Sequence, residues 1–219
     1  MVDLIHGLSP ADVRANLDAV HERLAAAGRK PGEVQILAAV KYLPIEELEA
    51  LAQGGITLVG ENRAQALIEK AAGHPDFTWD FIGSLQSRKV AMLLPHVRYI
   101  HSVATDSALR ELAKHGTPTT EIMVEVNVAG DPGKVGISRT ELPAFLERCP
   151  VKVAGLMTMP PLAVDPEQNR GHFAALRELA EAHGLRELSM GTSQDYEIAA
   201  EEGATIVRLG SFLYRHGKA

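Results

Sequence analysis

Apolar and polar positions along the chain follow two alternating patterns. Short runs rich in Val, Ile, Leu and Thr occur at 35–40, 57–60, 78–82, 99–101, 121–127, 152–156, 187–190 and 205–209. Between them lie longer stretches whose apolar residues recur every third or fourth position, at 46–53, 63–72, 87–94, 106–115, 139–148, 167–183 and 196–202. The first pattern predicts strands and the second predicts amphipathic helices. Gly54, Gly73, Gly116, Gly184 and Gly203 follow helical runs, where glycine is the common terminator. Strands that alternate with helices through short loops must pair in parallel. Eight of them predict an α/β protein of the closed (β/α)8 TIM barrel type. An open doubly wound sheet satisfies the same alternation, and strand counting does not exclude it.

One helix precedes the repeating unit. Ser9-Pro10-Ala11-Asp12 offers an N-cap, a proline at the first helical position and an acid in the first turn. Val13, Leu17, Val20 and Leu24 follow at helical spacing, and Gly28 closes the run. Residues 1–30 are therefore expected to form an N-terminal helix packed on the barrel, within one barrel domain spanning 1–219.

Composition narrows the setting. With 46% hydrophobic and 23% charged residues, the chain has the make-up of an ordinary globular protein. A formal charge of −6 argues against a broad nucleic-acid or anionic-membrane footprint. Cys149 is the only cysteine, so a disulfide framework or zinc knuckle is not expected. The N-terminus lacks the basic and apolar regions of a signal peptide, and no apolar run approaches a membrane span, so a cytoplasmic location is the default.

Barrels of this type gather functional groups where strands give way to helices. The first strand ends in Lys41, after five apolar residues. The ordinary reading is a lysine reaching out to water. The chemical reading is an amine beside the turn of strand eight, desolvated enough to form a Schiff base with an aldehyde. Strands seven and eight end in Gly191-Thr192-Ser193 and Gly210-Ser211. Each turn alone is a plausible helix cap, but paired they suggest an anion cradle. A phosphate cradle beside a reactive lysine points to pyridoxal 5′-phosphate (PLP), which carries both an aldehyde and a phosphate. Arg208 either pairs with a carboxylate at the rim or faces the pyridine nitrogen, where a permanent cation would disfavour protonation of the ring. Asn62 reads by default as a helix cap. Met157 and Met159 read as packing residues, with a place near a cofactor ring as the second possibility. The nine histidines show no metal-ligand spacing, and Glu61, Glu125 and Asp195 form no paired-carboxylate motif.

With these residues in view, the chain resembles the YggS/PROSC family of pyridoxal phosphate homeostasis proteins. The motifs that carry the resemblance run through nearly the whole length: Ala39-Val40-Lys41, Gly60-Glu61-Asn62, Trp79-Asp80-Phe81-Ile82-Gly83-Ser84-Leu85-Gln86-Ser87-Arg88-Lys89, Val126-Asn127 with Lys134-Val135-Gly136-Ile137, Gly155-Leu156-Met157, Leu188-Ser189-Met190-Gly191 and Val207-Arg208-Leu209-Gly210. Three departures stand out. Asp80 occupies a position that is usually His, Thr192-Ser193 replaces the usual Met-Ser, and Ser211 replaces a frequent Thr. The two serines keep hydroxyls for a phosphate, whereas the sequence offers no account of Asp80.

The resemblance implies a barrel like the N-terminal domain of alanine racemase, with PLP held as an aldimine on Lys41. It implies phosphate contacts from Ser193, Gly210 and Ser211, Arg208 toward the pyridine nitrogen, and Asn62 and Met157 near the cofactor. It further implies a monomeric carrier or buffer of PLP, serving client enzymes without established turnover. A PLP-dependent racemase is the competing expectation, and a binder of another phosphorylated metabolite is a third. A racemase of this barrel type uses a second β domain and an opposing tyrosine. The chain ends ten residues after Leu209, and of its four tyrosines neither Tyr42 nor Tyr196 is placed as an obvious opposing base. The carrier is therefore the expected function.

Overall fold

The computed structural model describes residues 4–216; residues 1–3 and 217–219, the two ends of the expected 1–219 domain, lie outside the described residues. Eight parallel strands close into a barrel in chain order: β1 (Gln35–Ala39), β2 (Leu58–Glu61), β3 (Thr78–Phe81), β4 (Tyr99–Val103), β5 (Glu121–Glu125), β6 (Lys152–Met157), β7 (Glu187–Thr192) and β8 (Ile206–Leu209). The closing pair is β1 with β8, in register Leu37 to Arg208 and Ala38 to Leu209. That pairing excludes the open sheet and brings the end of β1 beside the end of β8.

Helix α1 (Pro10–Ala26) begins with Ser9 Oγ accepting from the Asp12 amide at 3.3 Å. It buries Val13, Leu17, Val20 and Leu24. The Asn16 amide donates to the carbonyls of Leu213 and Arg215, tying α1 to the segment after β8. The other helices are α2 (Leu48–Gln53), α3 (Ala64–Gly73), α4 (Val90–Leu93), α5 (Asp106–His115), α6 (Leu142–Glu147), α7 (Arg170–Ala182) and α8 (Tyr196–Glu201). Several are shorter than their periodic patterns. Tighter 3-10 turns at Ile45–Glu47, Ser87–Lys89 and Pro166–Asn169 take the first residues of three of those patterns. α6 starts only at Leu142, next to Pro143, which is tolerated in a first turn but not deeper. β5 stops two residues before the expected end; the Val126 amide still donates to the Met157 carbonyl of β6 at 2.8 Å, while Val126 also bridges Ile137 in the following loop.

Side chains on each strand alternate between two environments. Trp79 and Phe81, Val207 and Leu209, and Leu188 and Met190 join the large core between strands and helices. Their neighbours Asp80, Arg208 and Ser189 are buried on the opposite face. The inner apolar cluster is small, with Leu37, Leu58, Met123, Met157 and Ile206 as its buried members. Among the described residues no helix is long and apolar enough to cross a membrane.

Candidate functional site

A cavity of about 330 Å³ opens at the C-terminal mouth of the barrel. Lys41, Asn62, Ser193, Arg208, Gly210 and Ser211 all line it. Met157 does not; it is buried within the barrel beside Leu37, Leu58, Met123 and Ile206. Met159, half exposed, contributes to the wall instead. Thr192, within the expected cradle turn after β7, joins the lining, and Tyr42, Ile82 and Tyr214, which the strand-end pattern did not single out for the wall, complete much of the rest.

Lys41 sits on a firmly held piece of backbone. Tyr214 donates to the carbonyl of Ala39 at 3.1 Å, the buried Lys70 ammonium to that of Val40 at 2.7 Å, and Arg63 to that of Lys41 at 3.3 Å. Lys70 is paired with the fully buried Glu61 at 2.6 Å. The other Glu61 oxygen accepts the amides of Asn62 and Arg63. One buried ion pair thus orders the turns after both β1 and β2. Lys41 Nζ lies 4.6 Å from the centre of the Tyr42 ring, a favourable position for an ammonium. On the β2 turn, Gly83 presses against Asn62 so closely that an added Cβ would meet the Asn62 carbonyl at 2.0 Å. Asn62 Oδ1 is buried and has no donor among the described residues.

The β7 turn is shaped by a register shift. Ser189 pairs with Ile206 and Thr192 with Arg208, so β7 spends an extra residue there. Gly191 absorbs it at φ +87°, and an added Cβ would meet Ala199 Cβ at 2.6 Å. Asp195 then accepts from the Thr192 amide and hydroxyl and from the buried Asn169 amide. Ser193 Oγ accepts the Gly210 amide at 3.2 Å, which joins the two glycine–hydroxyl turns and leaves the Ser193 proton free to donate.

Arg208 is buried at the cavity floor. Its Nη1 donates to Ser189 Oγ at 2.6 Å, and its Nη2 to the Thr158 carbonyl and Met159 sulfur, both at 2.9 Å. Burial pushes its pKa down to about 10, against the opposing pull of Glu125 and Asp195, so it remains a cation at neutral pH. Glu125, at the end of β5, is itself pushed up by burial, with Arg208 acting against the shift. Below Arg208 runs a line of buried polar groups. Ser189 contacts His101 Nδ1 at 2.8 Å, His101 Nε2 contacts Asp80 at 3.0 Å, and Asp80 takes a two-point contact from Arg98 at 2.5 and 3.0 Å. Asp80, the departure without a sequence explanation, therefore has three donating neighbours: Arg98, His101 and the Tyr99 amide. The alternation of β3, β4 and β7 was the only sequence signal for this line. Among the described residues no group of three His, Cys, Asp or Glu is placed to hold a metal ion.

Residues 12–217 match the family described as alanine racemase, N-terminal domain. The chain is 37% identical to the pyridoxal phosphate homeostasis protein of Aquifex aeolicus, covering 92% of this chain and 95% of that one. Among solved structures it is similar to PipY of Synechococcus elongatus with PLP bound, at 32% identity and TM-score 0.74, covering 90% of this chain and all of that one. Alanine racemase from Corynebacterium glutamicum shares the fold, with TM-score 0.73 at 13% identity over all of this chain and 65% of that one. The chain belongs to the alanine racemase N-terminal domain family and, within it, to the pyridoxal phosphate homeostasis proteins.

Proposed function

We propose that the protein binds PLP covalently through Lys41 and acts as a carrier or buffer of the cofactor. The observation that carries this reading is the convergence of an amine, a cation and two hydroxyl turns on one cavity. Its volume falls within the roughly 300–1,000 Å³ typical of small-molecule sites. The donor set fits the cofactor: an amine for the aldehyde, Ser193, Ser211 and the Gly210 turn for the phosphate, and Arg208 for the ring nitrogen. Asn62 Oδ1, buried without a donor among the described residues, leaves an acceptor in the wall for a ligand proton.

When bound, the cofactor supplies an aldehyde and an electron-withdrawing ring. The chain's own residues determine how far that chemistry goes. The carbonyl clamps from Tyr214, Lys70 and Arg63 hold the backbone that carries the lysine. Arg208, charged and already donating to three protein acceptors, disfavours a proton on the ring nitrogen and so weakens the ring as an electron sink. Tyr214 donates to Ala39, and burial raises its pKa well above the ordinary phenol range, which makes it a poor proton acceptor. These features favour holding the cofactor over turning over an amino acid. On this reading the protein is a cytoplasmic monomer that passes PLP to client enzymes.

Adding PLP, reducing with borohydride and mapping the labelled peptide tests the assignment. The label is expected on Lys41 and is expected to vanish in Lys41→Ala with the fold intact. A label on another lysine overturns the proposal. Incubating the PLP-loaded protein with a panel of L-amino acids separates carrier from enzyme, and robust racemisation, transamination or decarboxylation would overturn the carrier reading.

A further inference from the structure

The interior beneath Arg208 could have been filled with hydrocarbon, as it is around Met123 and Met157. Instead β3, β4, β7 and β8 contribute Asp80, His101, Ser189 and Arg208, each at most 6% exposed. Burying four polar groups costs free energy unless all are paired, so the line must be read through its hydrogen-bond directions.

Those directions are determined by the two ends. The guanidinium of Arg208 can only donate, so Ser189 Oγ accepts from it. At the other end the Asp80 carboxylate can only accept, so in a neutral ring His101 Nε2 bears the proton and donates it to Asp80. Nδ1 then offers a lone pair, and the Ser189 hydroxyl donates to it. Asp80 accepts from both Arg98 contacts, from the Tyr99 amide and from His101, which leaves it a satisfied carboxylate. Each link polarises the next, and Ser189 becomes a stronger acceptor for Arg208.

We infer that Asp80, His101 and Ser189 form a directed hydrogen-bond relay that positions Arg208 and supports its charge at the floor of the site. The three are positioning residues, since they act on the cavity through Arg208. The relay starts at Arg98, whose side chain is 27% exposed, and ends in the cavity wall. The groups that face His101 agree with a neutral ring. Burial and the charges of Arg208 and Arg98 push it toward deprotonation, and Asp80 opposes them without prevailing. The importance of the relay to PLP rests on the placement of Arg208 proposed above, but the relay itself is testable without cofactor.

Nitrogen NMR of the cofactor-free protein, labelled in histidine and arginine, reads both ends. His101 is expected as the neutral Nε2–H tautomer at pH 7, and the Nη signals of Arg208 are expected to be distinct because its rotation is restrained. Ser189→Ala and Asp80→Asn should both average the Arg208 signals, although Asp80 does not touch Arg208. If Asp80→Asn does not fold, His101→Gln breaks the relay at its centre and should give the same averaging. An Nδ1–H tautomer in the parent protein, or unchanged Arg208 signals in a folded Asp80→Asn or His101→Gln variant, overturns the relay. A merely structural role would lower stability and leave those signals alone. With PLP added, each single variant is expected to weaken binding by about tenfold, the scale of one charged hydrogen bond, and the Ser189→Ala/Asp80→Asn double variant by no more than either. Multiplying losses would show independent effects and also overturn the relay. Failure of PLP to attach at Lys41 leaves the cofactor-free readouts standing, so the two proposals fail separately.

Discussion

Two layers of side chains share the same eight strands. Outward from the barrel, Val40, Val59, Trp79, Phe81, Ile100, Leu188, Val207 and Leu209 meet the helices in a continuous apolar core. Inward, Leu37, Leu58, Met123, Met157 and Ile206 fill only part of the space, and Asp80, His101, Ser189 and Arg208 fill much of the rest. Neighbouring residues on one strand thus do different work. Val207 and Leu209 hold β8 against the helices, while Arg208 between them forms the cavity floor. The outer layer buys stability from area, which tolerates many residues of similar size. The inner layer depends on donors and acceptors meeting in pairs, which few residues satisfy.

The sharpest way to break this division is to damage the outer layer alone. Phe173→Ala empties a fully buried site on α7, far in character from the cavity. Urea titration is expected to show a loss of about 3–5 kcal/mol, with borohydride labelling of Lys41 unchanged in the folded fraction. Lost labelling at full folding would show the layers to be coupled.

Lys70→Met sits where the layers meet. It leaves Glu61 buried without its ammonium partner and releases the Val40 carbonyl next to Lys41. A loss of about 3 kcal/mol is expected, together with slower labelling of Lys41. Stability lost with labelling kinetics intact would remove Lys70 from the site.

Gly191→Ala probes the cradle. A Cβ there must accept φ +87° and displace Ala199, at a cost of about 1–2 kcal/mol. PLP affinity, measured by fluorescence titration, should fall more than pyridoxal affinity, because only the former carries the phosphate. Equal losses would argue against a phosphate contact at this turn.

The smallest effect is a slope with pH. The folded pKa of His101 lies below its ordinary 6.5, chiefly through burial. Its contribution to stability is therefore complete above about 6.5 and is lost as pH falls through the folded value. Across that window the slope is at most about 1.4 kcal/mol per pH unit. His101→Gln should flatten it in urea titrations between pH 7.5 and 5.5, and an unchanged slope would mean the ring titrates normally. Asp80 continues the trend at lower pH. Burial would raise its carboxyl, but contacts from His101 and Arg98 outweigh that and hold it low, so its contribution is lost only under more acidic conditions.

Much of this molecule is legible as periodicity. Leu17, Val20 and Leu24 announce α1, and the strand–helix alternation announces eight units, because burial of one face repeats every 3.6 or every two residues. Lys41, Ser193, Arg208, Gly210 and Ser211 stand out because strand ends are where such barrels keep their chemistry. Met157 looked equivalent to Met159 on the page, yet one is buried inside the barrel and the other lines the cavity. Helix starts were less readable, since the first turns of three patterns tighten into 3-10 geometry that leaves the apolar spacing unchanged.

The sequence by itself determined the alternation of elements, the family, and the residue types gathered at the strand ends, because those are properties of neighbours along the chain. The tertiary structure decided that β1 meets β8, that Lys70 reaches Val40, and that Asp80 finds His101 and Arg98. The physical reason is distance along the chain. Arg208 and His101 share a hydrogen-bonded line although more than a hundred residues separate them, and only closure of the barrel brings their donors and acceptors within 3 Å of Ser189.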